Sequence, residues 1–315
     1  MTGPVRVGLV GAGRIGAVHA QAITGGAGLE LAAVCDPQAE AAAAAAAPAG
    51  ARVAATVPEL LAGGGVDAFV VAAPTSRHPE LVTELAAAGL PILCEKPLGL
   101  TASDAQRAAG AAAAAGILLA VGYWKRFVPE LIAVHDGLAD GALGALAMAV
   151  CVQWDAAPPP AAFRDPAVSG GILVDMGVHE FDMLRWLTGG TIERIVGAPS
   201  AAVAAAPVPG DPETANLVAS LSTGASAVVT LSRCHPGGDR CSLDVLATGG
   251  VRAVEFLRPD HADADMLAAL RRQDEAFGRA VRGAPWPGAA GADAVAALQD
   301  AAGAAEALAL AEAVA

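Results

Sequence analysis

Aromatic and basic residues are scarce in this chain. Only 3% of its 315 residues are aromatic, and 19 lysine and arginine residues stand against 32 aspartate and glutamate residues, which gives a formal net charge of −13. A surface this acidic repels phosphate backbones and anionic lipid headgroups. The composition therefore argues against nucleic-acid and membrane-surface partners.

Closely spaced cysteine pairs are also missing. The five cysteines form no CxxC pair, and three of them fall inside apolar strand-like runs: Cys35, Cys94 and Cys151. Such cysteines are typical of small core residues in a reduced, cytoplasmic protein. One group of potential ligands follows no common zinc spacing: Cys234, His235, Asp239 and Cys241. We therefore expect no metal site.

The third deficit is in long apolar runs, although 55% of the residues are hydrophobic and the mean hydropathy is +0.51. Alanine supplies much of this value, and the uncharged stretches 108–124 and 214–232 are interrupted by Gly, Ser, Thr or Asn. Neither supplies the roughly 20 predominantly apolar residues of a membrane-spanning helix. Only residues 1–4 precede the first apolar run, which leaves no room for a signal peptide. The expectation is a soluble, cytoplasmic protein.

The pattern along the chain predicts two domains. Residues 1–122 alternate short apolar strands with alanine-rich helices, which indicates βαβ units and a parallel sheet. Residues 123–315 instead show several strands separated only by turns, with a helix predicted at about 175–187 and two closing helices. This arrangement favours an α+β domain with a large, mostly antiparallel open sheet. The last helix is free to pack back on the first domain.

A glycine motif links the first predicted strand to the first helix. Gly11, Gly13 and Gly16 form GxGxxG directly after Val5–Val10, with Arg14 and Ile15 opening the helix behind it. The first glycine permits a tight turn, the second lets backbone approach a pyrophosphate, and the third allows close helix–strand packing. A pyrophosphate would then lie on the amides at the helix N-terminus. The motif predicts a dinucleotide site.

Asp36 selects among dinucleotides. It stands twenty residues beyond Gly16, at the end of the second predicted strand, and no Arg or Lys follows in the next three residues. A carboxylate there accepts hydrogen bonds from ribose hydroxyls and repels a 2′-phosphate, which favours NAD over NADP. The structural alternative is that Asp36 caps the next helix, with Pro37 at its first position. Both roles are compatible.

Four further segments carry a family resemblance: Ala73-Pro-Thr-Ser-Arg-His78, Cys94-Glu-Lys-Pro97, Gly122-Tyr-Trp-Lys-Arg-Phe127 and residues 169–182. With the glycine motif, they resemble the Gfo/Idh/MocA family of NAD(P)-dependent sugar and inositol oxidoreductases, and Glu-Lys-Pro is the most specific of them. The stretch from the Pro-rich loop at residues 156–162 to residue 182 is most similar to inositol dehydrogenases. Lys125, Trp124 and Val174 depart from common residues of the family near the expected substrate pocket.

Oxidation of a secondary alcohol needs a base for the hydroxyl proton and a group that stabilises the developing alkoxide. Asp175 and His179 are four residues apart on a predicted helix, so both project from one face. Histidine titrates near neutrality, which makes His179 the natural base, while Asp175 orients it or binds a substrate hydroxyl. Lys96, after the fifth predicted strand, would polarise the substrate oxygen. The resemblance places all three in one catalytic neighbourhood.

Each of these residues has a structural alternative: a solvated strand end for Lys96, and a cap with a surface ion pair for Asp175 and His179. The resemblance further implies cofactor contacts from a set of residues on the loops: Pro74, Thr75, His78, Glu95, Lys96 and Arg126. His78 could instead cap the helix that follows it, and Arg126 could be structural. Three aromatic residues are candidate walls of the substrate pocket or subunit contacts: Tyr123, Trp154 and Phe163.

The sequence thus predicts an NAD-dependent dehydrogenase of a cyclitol or sugar, most like inositol 2-dehydrogenases. A ketoreductase of nucleotide-linked sugars in the same family is the rival enzyme. A non-catalytic protein that senses NAD(P) is the hypothesis from another class. The resemblance also implies a homodimer or homotetramer, because the open sheet of the second domain needs cover.

Overall fold

The computed structural model describes residues 3–200 and 211–314. The chain divides into two compact units, each described by itself below. The first unit contains Met1–Phe127 and Met266–Val295, and the second contains Val128–Asp265 and Ala296–Ala315. The sequence pattern predicted a boundary after residue 122 and a closing helix that packs back on the first domain. In the structure, residues 266–295 belong to the first unit.

A seven-stranded sheet organises the first unit, in the order β13-β6-β5-β4-β1-β2-β3. Its strands are β1 Val5–Val10, β2 Leu29–Cys35, β3 Arg52–Ala54, β4 Ala68–Val71, β5 Ile92–Glu95, β6 Leu119–Gly122 and β13 Ala289–Ala290. All neighbours pair in parallel except β13, which is antiparallel to β6. The helices are α1 Arg14–Gly25, α2 Ala39–Ala46, α3 Val57–Ala62, α4 His78–Ala86, α5 Ala102–Ala114 and α10 Ala262–Val281.

This topology brings the loop residues to one edge of the sheet. Parallel strands have their carboxyl ends at the same edge, and ligands bind there in open α/β sheets. The glycine motif follows β1, Asp36 follows β2, Pro74 follows β4 and Lys96 follows β5. The strand order reverses between β1 and β4, which form the centre of the sheet. Strands β4 and β5 are fully buried, β1 is buried except at one residue, and β2 is buried towards its carboxyl end, as expected for a parallel sheet.

A six-stranded sheet organises the second unit, in the order β12-β11-β7-β10-β9-β8. Its strands are β7 Leu146–Trp154, β8 Ile192–Ser200, β9 Thr214–Leu221, β10 Ser226–Ser232, β11 Arg240–Ala247 and β12 Gly250–Leu257. Only β7 and β10 pair in parallel, and the other four pairs are antiparallel. The remaining helices are α6 Pro129–Ala139, α7 Ala161–Arg164, α8 Pro166–Ser169, α9 Val178–Thr188 and α11 Gly291–Val314. The predicted fold class is confirmed.

One predicted helix has a different beginning. A π-helical turn covers Leu173–Gly177, and the α-helix α9 starts only at Val178. Asp175 therefore lies in a wider turn with i→i+5 hydrogen bonds, a feature that is frequent at functional sites. Four apolar side chains of α9 are buried in the core: Val178, Phe181, Leu184 and Leu187. The composition of residues 201–211 predicts a Pro/Ala-rich loop, and this segment lies outside the described residues except for Asp211.

Helix α11 is long and apolar enough to span a membrane by length and composition alone. The segment Gly291–Ala311 has a mean hydropathy of 1.3 and is 39% buried, so the expected lack of long apolar runs is wrong for this helix. Its buried residues recur at helical spacing: Ala294, Ala297, Leu298, Ala301, Ala304 and Leu308. Asp300 on this helix accepts hydrogen bonds from Arg185 at 2.5 and 3.0 Å. Such a stripe is typical of a helix that packs one face against a folded protein.

Candidate active site

The three motif glycines have different environments. Gly11 has φ +95, and a side chain there would meet the backbone of Ala72 and Ala73 at 2.6 Å. At Gly16, a Cβ would lie 2.0 Å from the carbonyl oxygen of Gly11. At Gly13, a Cβ would meet nothing within 4 Å. The first and third glycines are therefore required by the fold, whereas the second faces open space.

The N-terminus of helix α1 suits an anionic group. Gly13 is the N-cap and offers no side-chain acceptor, and the first turn, which starts with Arg14, Ile15 and Gly16, contains no acidic residue. The first amides of a helix have no intrahelical partner and carry the positive end of the helix dipole. A pyrophosphate is a natural partner for such a terminus when backbone can approach it closely. The residues present thus fit the NAD that the sequence predicts.

The two structurally different glycines give a matched test. Gly16→Ala is expected to lower stability strongly, since its Cβ would overlap the Gly11 carbonyl. Gly13→Ala is expected to lower stability much less, because its Cβ would meet nothing within 4 Å and the loss of a favourable N-cap residue costs only about 1 kcal/mol. It should nevertheless weaken NAD binding about tenfold or more, since the methyl group would occupy the space through which the pyrophosphate approaches. Thermal unfolding and NAD titration of both variants check this pair. Unchanged NAD affinity in Gly13→Ala would place the pyrophosphate elsewhere.

Asp36 joins the glycine motif to the next helix. One carboxylate oxygen accepts the amide of Ala12 at 2.7 Å, and the other accepts the amide of Gln38 at 2.8 Å. The expectation that Asp36 is the N-cap with Pro37 at the first helical position is wrong, because α2 begins at Ala39 and its N-cap is Gln38. Asp36 instead accepts the amide of the N-cap residue, just before the helix. Each carboxylate oxygen has a second acceptor position, so these bonds are compatible with contacts to ribose hydroxyls. The same bonds fix the carboxylate at the carboxyl end of β2.

The loop after β4 is tied to the loop that contains Lys96. Thr75 is buried, next to Pro74, which precedes a short 3₁₀ turn, and His78 begins α4 with its ring fully enclosed. The Nδ1 atom of His78 lies 2.7 Å from the carbonyl oxygen of Pro97, and Nε2 lies 2.7 Å from that of Ala73. Burial lowers the pKa of His78 despite these carbonyl contacts. The geometry favours a structural role for His78, since both ring nitrogens already face backbone oxygens.

Beneath Lys96 lies a buried charge cluster that sequence reasoning missed. His19 on α1 is fully buried, with Nδ1 3.0 Å from a carboxylate oxygen of Asp274 and Nε2 3.0 Å from Oε1 of Glu95. Burial lowers the pKa of His19, but the two carboxylates outweigh it and raise the pKa to about 10. The other oxygen of Glu95 accepts the Lys96 amide at 3.1 Å. His19 is thus an imidazolium that holds Glu95 in position beside Lys96.

Two further predicted residues lie after β6. Arg126 is nearly buried and forms an ion pair with Asp293 at 3.2 Å. Tyr123 is only 1% exposed. Their positions place Arg126 in the framework of the first unit and Tyr123 in its core, so a contact with cofactor or substrate stays a prediction for both.

The second unit brings Asp175 next to a buried arginine. Asp175 lies in the π-turn and is partly exposed, while His179 is 4% exposed in the first turn of α9. The Nη2 of Arg233 donates to Asp175 at 3.3 Å, and its Nη1 donates to Asp211. Asp211 and Arg233 were absent from the predicted site, because neither residue stands in a recognisable motif. Arg233 is 58 residues from Asp175 and 22 residues from Asp211 along the chain, so no local sequence pattern indicates that the three residues form a cluster.

Trp154 lies at the same end of the six-stranded sheet as Arg233. It ends β7, and its register partner on the parallel strand β10 is Ser232, the residue before Arg233. His235 packs against the Trp154 ring with centroids 5.2 Å apart, and the Arg240 guanidinium lies 5.6 Å from that ring. Phe163 is partly buried in α7. The second unit therefore groups Trp154 with Asp175 through the residues at the end of β10.

The comparisons with known proteins agree with this two-domain fold. A family model described as an oxidoreductase family with an NAD-binding Rossmann fold matches residues 5–123, and the GFO/IDH/MocA C-terminal domain model matches residues 132–252. The chain is 44% identical to the rhizopine catabolism protein MocA of Rhizobium meliloti, over 93% of this chain and 92% of that protein. It is 35% identical to an inositol 2-dehydrogenase of Rhizobium meliloti strain 1021, over 81% and 77% of the two chains.

A solved structure shows the same fold with the cofactor present. GenD2 from gentamicin A biosynthesis, in complex with NAD, superimposes with a TM-score of 0.89 and 26% identity, covering 98% of this chain and 95% of that chain. The prediction of an NAD-binding Rossmann domain is confirmed. Both halves of the chain thus match the two domains of a single oxidoreductase family, and the chain belongs to the Gfo/Idh/MocA family of NAD-dependent oxidoreductases.

Proposed function

We propose that this protein is an NAD-dependent dehydrogenase that oxidises a secondary alcohol of a cyclitol, with an inositol-like ring as substrate. The observation that carries the proposal is the open N-terminus of α1 at the same sheet edge as Lys96. The relatives named as an inositol 2-dehydrogenase and a rhizopine catabolism protein support the cyclitol class. They match most of the chain, and the second unit with Asp175 and His179 is included in the shared family.

The reaction divides among residues of this chain. When bound, NAD would supply the acceptor for the hydride of the carbinol carbon, and the residues of the chain act on the alcohol. His179 takes the hydroxyl proton, because a neutral imidazole is the side-chain base best matched to neutral pH. Lys96 donates a hydrogen bond to the substrate oxygen and stabilises the negative charge that develops there. Asp175 accepts a hydrogen bond from a neighbouring hydroxyl or from the imidazole and so orients the reacting groups.

Cofactor contacts are proposed on the same basis. The amides of Gly13, Arg14, Ile15 and Gly16 receive the pyrophosphate, and Asp36 receives the adenosine ribose. Asp36 also disfavours a 2′-phosphate, so NAD is preferred over NADP. Around the nicotinamide half we propose a second set of residues: Pro74, Thr75, Glu95, Lys96 and Arg126. His78 supports this set only indirectly, through its contacts with the carbonyl oxygens of Ala73 and Pro97. Tyr123, Trp154 and Phe163 are proposed to contact the substrate.

The deciding experiment is a panel of inositol isomers and sugars, each incubated with NAD or NADP while reduced nicotinamide is followed by absorbance. We expect turnover of at least one cyclitol with NAD and a much lower rate with NADP. Absence of turnover with every polyol, together with tight NAD binding, would favour the sensor hypothesis. Reduction of a nucleotide-linked ketosugar without polyol oxidation would favour the ketoreductase.

We also propose that the protein is a cytoplasmic homo-oligomer assembled through the outer face of the six-stranded sheet. Register partners on neighbouring strands share a face, so two adjacent rows can be traced across the sheet. The exposed apolar side chains of the six-stranded sheet lie in these two rows: Met148, Val196, Val218, Leu246 and Val251. An exposed apolar sheet face of this kind is typical of an interaction surface.

A charge on this face should separate the subunits. Val218 is 49% exposed on β9, next to the edge strand β8, and Val218→Lys would place an ammonium group against the same surface of a second copy. We expect the variant to elute as a monomer in size-exclusion chromatography with light scattering, with a wild-type unfolding temperature at low concentration. Val53→Lys, at a 45% exposed position on β3 of the first unit, is the matched control and should keep the wild-type assembly. An oligomer in Val218→Lys would place the interface elsewhere.

A further inference from the structure

We propose that Arg233 is a positioning residue for the reaction, which holds the Asp175 carboxylate in its working orientation and is itself anchored by Asp211. The inference rests on the proposed function, because that function assigns Asp175 a place at the substrate. It adds two residues that do not touch the substrate but determine where Asp175 lies.

The first observation is the burial of the Arg233 side chain. Arg233 follows β10, is 1% exposed and ranks first in volume among the fully buried side chains of the described residues. A guanidinium stays charged at every pH at which the protein is folded. Its burial is costly unless carboxylates compensate the charge. Asp211 and Asp175 supply that compensation through Nη1 and Nη2.

The second observation is that Asp211 controls the backbone next to Asp175. Its Oδ1 accepts the amide of Ile172 at 2.7 Å, while its Oδ2 accepts Arg233. Gly171 has φ +76, and a Cβ there would lie 2.9 Å from Oδ1 of Asp211. The close approach of Asp211 to this backbone thus depends on a glycine. Ile172 directly precedes the π-turn, so one carboxylate fixes both the start of that turn and the cation that holds Asp175.

This arrangement assigns Asp175 a defined chemical task. A carboxylate that is paired with a permanent cation is a hydrogen-bond acceptor of fixed direction. Such a group is suited to orient a substrate hydroxyl or an imidazole, and proton acceptance is left to His179. Effective orientation needs the side chain to be held within a fraction of an ångström by its own partners. Arg233 and Asp211 meet that need from the protein side.

A second ion pair in the same unit serves as the reference for a purely structural role. Arg185 on α9 donates to Asp300 at 2.5 and 3.0 Å, and the pair is partly buried. Neither residue belongs to the proposed catalytic machinery. Arg185→Met should therefore lower the unfolding temperature without changing the turnover of folded protein.

The test is a double-mutant cycle on the full-length protein with NAD and the best cyclitol of the panel. Arg233→Met is expected to lower kcat about tenfold or more relative to Arg185→Met, with an unchanged KM for NAD. In an Asp175→Asn background, the same change should alter kcat less than about twofold, because its target is already removed. Arg233→Lys should restore part of kcat, since it returns the charge without the planar fork.

Additive effects of Arg233→Met and Asp175→Asn on kcat would overturn the inference, as would a kcat loss no larger than that of Arg185→Met. If Arg233→Met does not fold, Arg233→Lys and Asp211→Asn take its place in the cycle, since both keep the volume of the buried side chain. Their kcat losses must then also vanish in the Asp175→Asn background. A wild-type protein that oxidises no polyol would reject the proposed function together with the inference. Turnover with additive mutational effects would reject the inference alone.

Discussion

Replacement of His179 with alanine is expected to lower kcat for cyclitol oxidation by about 10²–10⁴-fold, because general-base catalysis contributes a factor of this size. His179 is 4% exposed and begins α9 directly after the π-turn that carries Asp175. The KM for NAD should change little, since the proposed pyrophosphate site belongs to the first unit. Steady-state kinetics with reduced nicotinamide as the readout measures both parameters.

His261→Ala is the matched control for this experiment. His261 is exposed and precedes α10, so its removal is expected to leave kcat within about twofold of wild type. Turnover of His179→Ala at the wild-type rate would remove His179 from the mechanism. A residual rate that increases with pH is expected instead, because hydroxide can replace the missing base.

The second large effect is expected at His19, on stability. His19→Ala would leave the Asp274 and Glu95 carboxylates without the cation between them, in a region where His19 and Asp274 are almost completely buried. Breaking a buried ion pair by removing one partner costs about 3–5 kcal/mol. That is a large part of the roughly 5–15 kcal/mol by which proteins are stable. Urea or thermal unfolding of the variant beside wild type and His261→Ala measures the loss.

The effect at His19 depends on pH in a predictable direction. The carboxylates raise the pKa of folded His19 from 6.5 to about 10, so the folded state binds the proton more tightly than the unfolded state. The stabilisation is therefore complete below pH 6.5 and is lost as the pH rises toward 10. The stability difference between wild type and His19→Ala should decrease over this interval. A difference that stays constant from pH 6 to pH 10 would mean that His19 is neutral in the folded protein.

Local sequence signals predicted the parts of the site that depend on a few neighbouring residues. The glycine motif predicted a strand, a tight turn and a helix, because glycine alone tolerates φ +95 at Gly11 and the close contact at Gly16. The parallel arrangement then follows from alternating strands and helices, and it places Asp36 and Lys96 at one sheet edge. The sequence also predicted the alanine-rich helices and the apolar strands. A helix that is buried on one face has a helical period of apolar residues, and a strand that is buried on both faces is a short, continuous apolar run.

Helix boundaries next to the proposed catalytic residues were harder to predict. The spacing of Asp175 and His179 predicted one continuous α-helix, whereas Asp175 lies in a π-turn that ends at Gly177. The preceding backbone is fixed by a hydrogen bond from Ile172 to Asp211, which is 39 residues further along the chain. The hydrophobic periodicity of a segment reports only on neighbouring residues, so it gives no information about a contact over this distance along the chain.

By itself, the sequence determined a dinucleotide-binding fold, since the strand, the glycine turn and the acidic residue all lie within residues 5–36. The resemblance of further motifs, Glu95-Lys96-Pro97 above all, added the NAD-dependent oxidoreductase family. Only the tertiary structure determined which charged groups support the site. His19 is joined to Asp274 across 255 residues, and Arg233 is joined to Asp175 across 58. A buried charge is tolerated only where its counter-charge lies within a few ångströms, and folding alone brings such distant residues together.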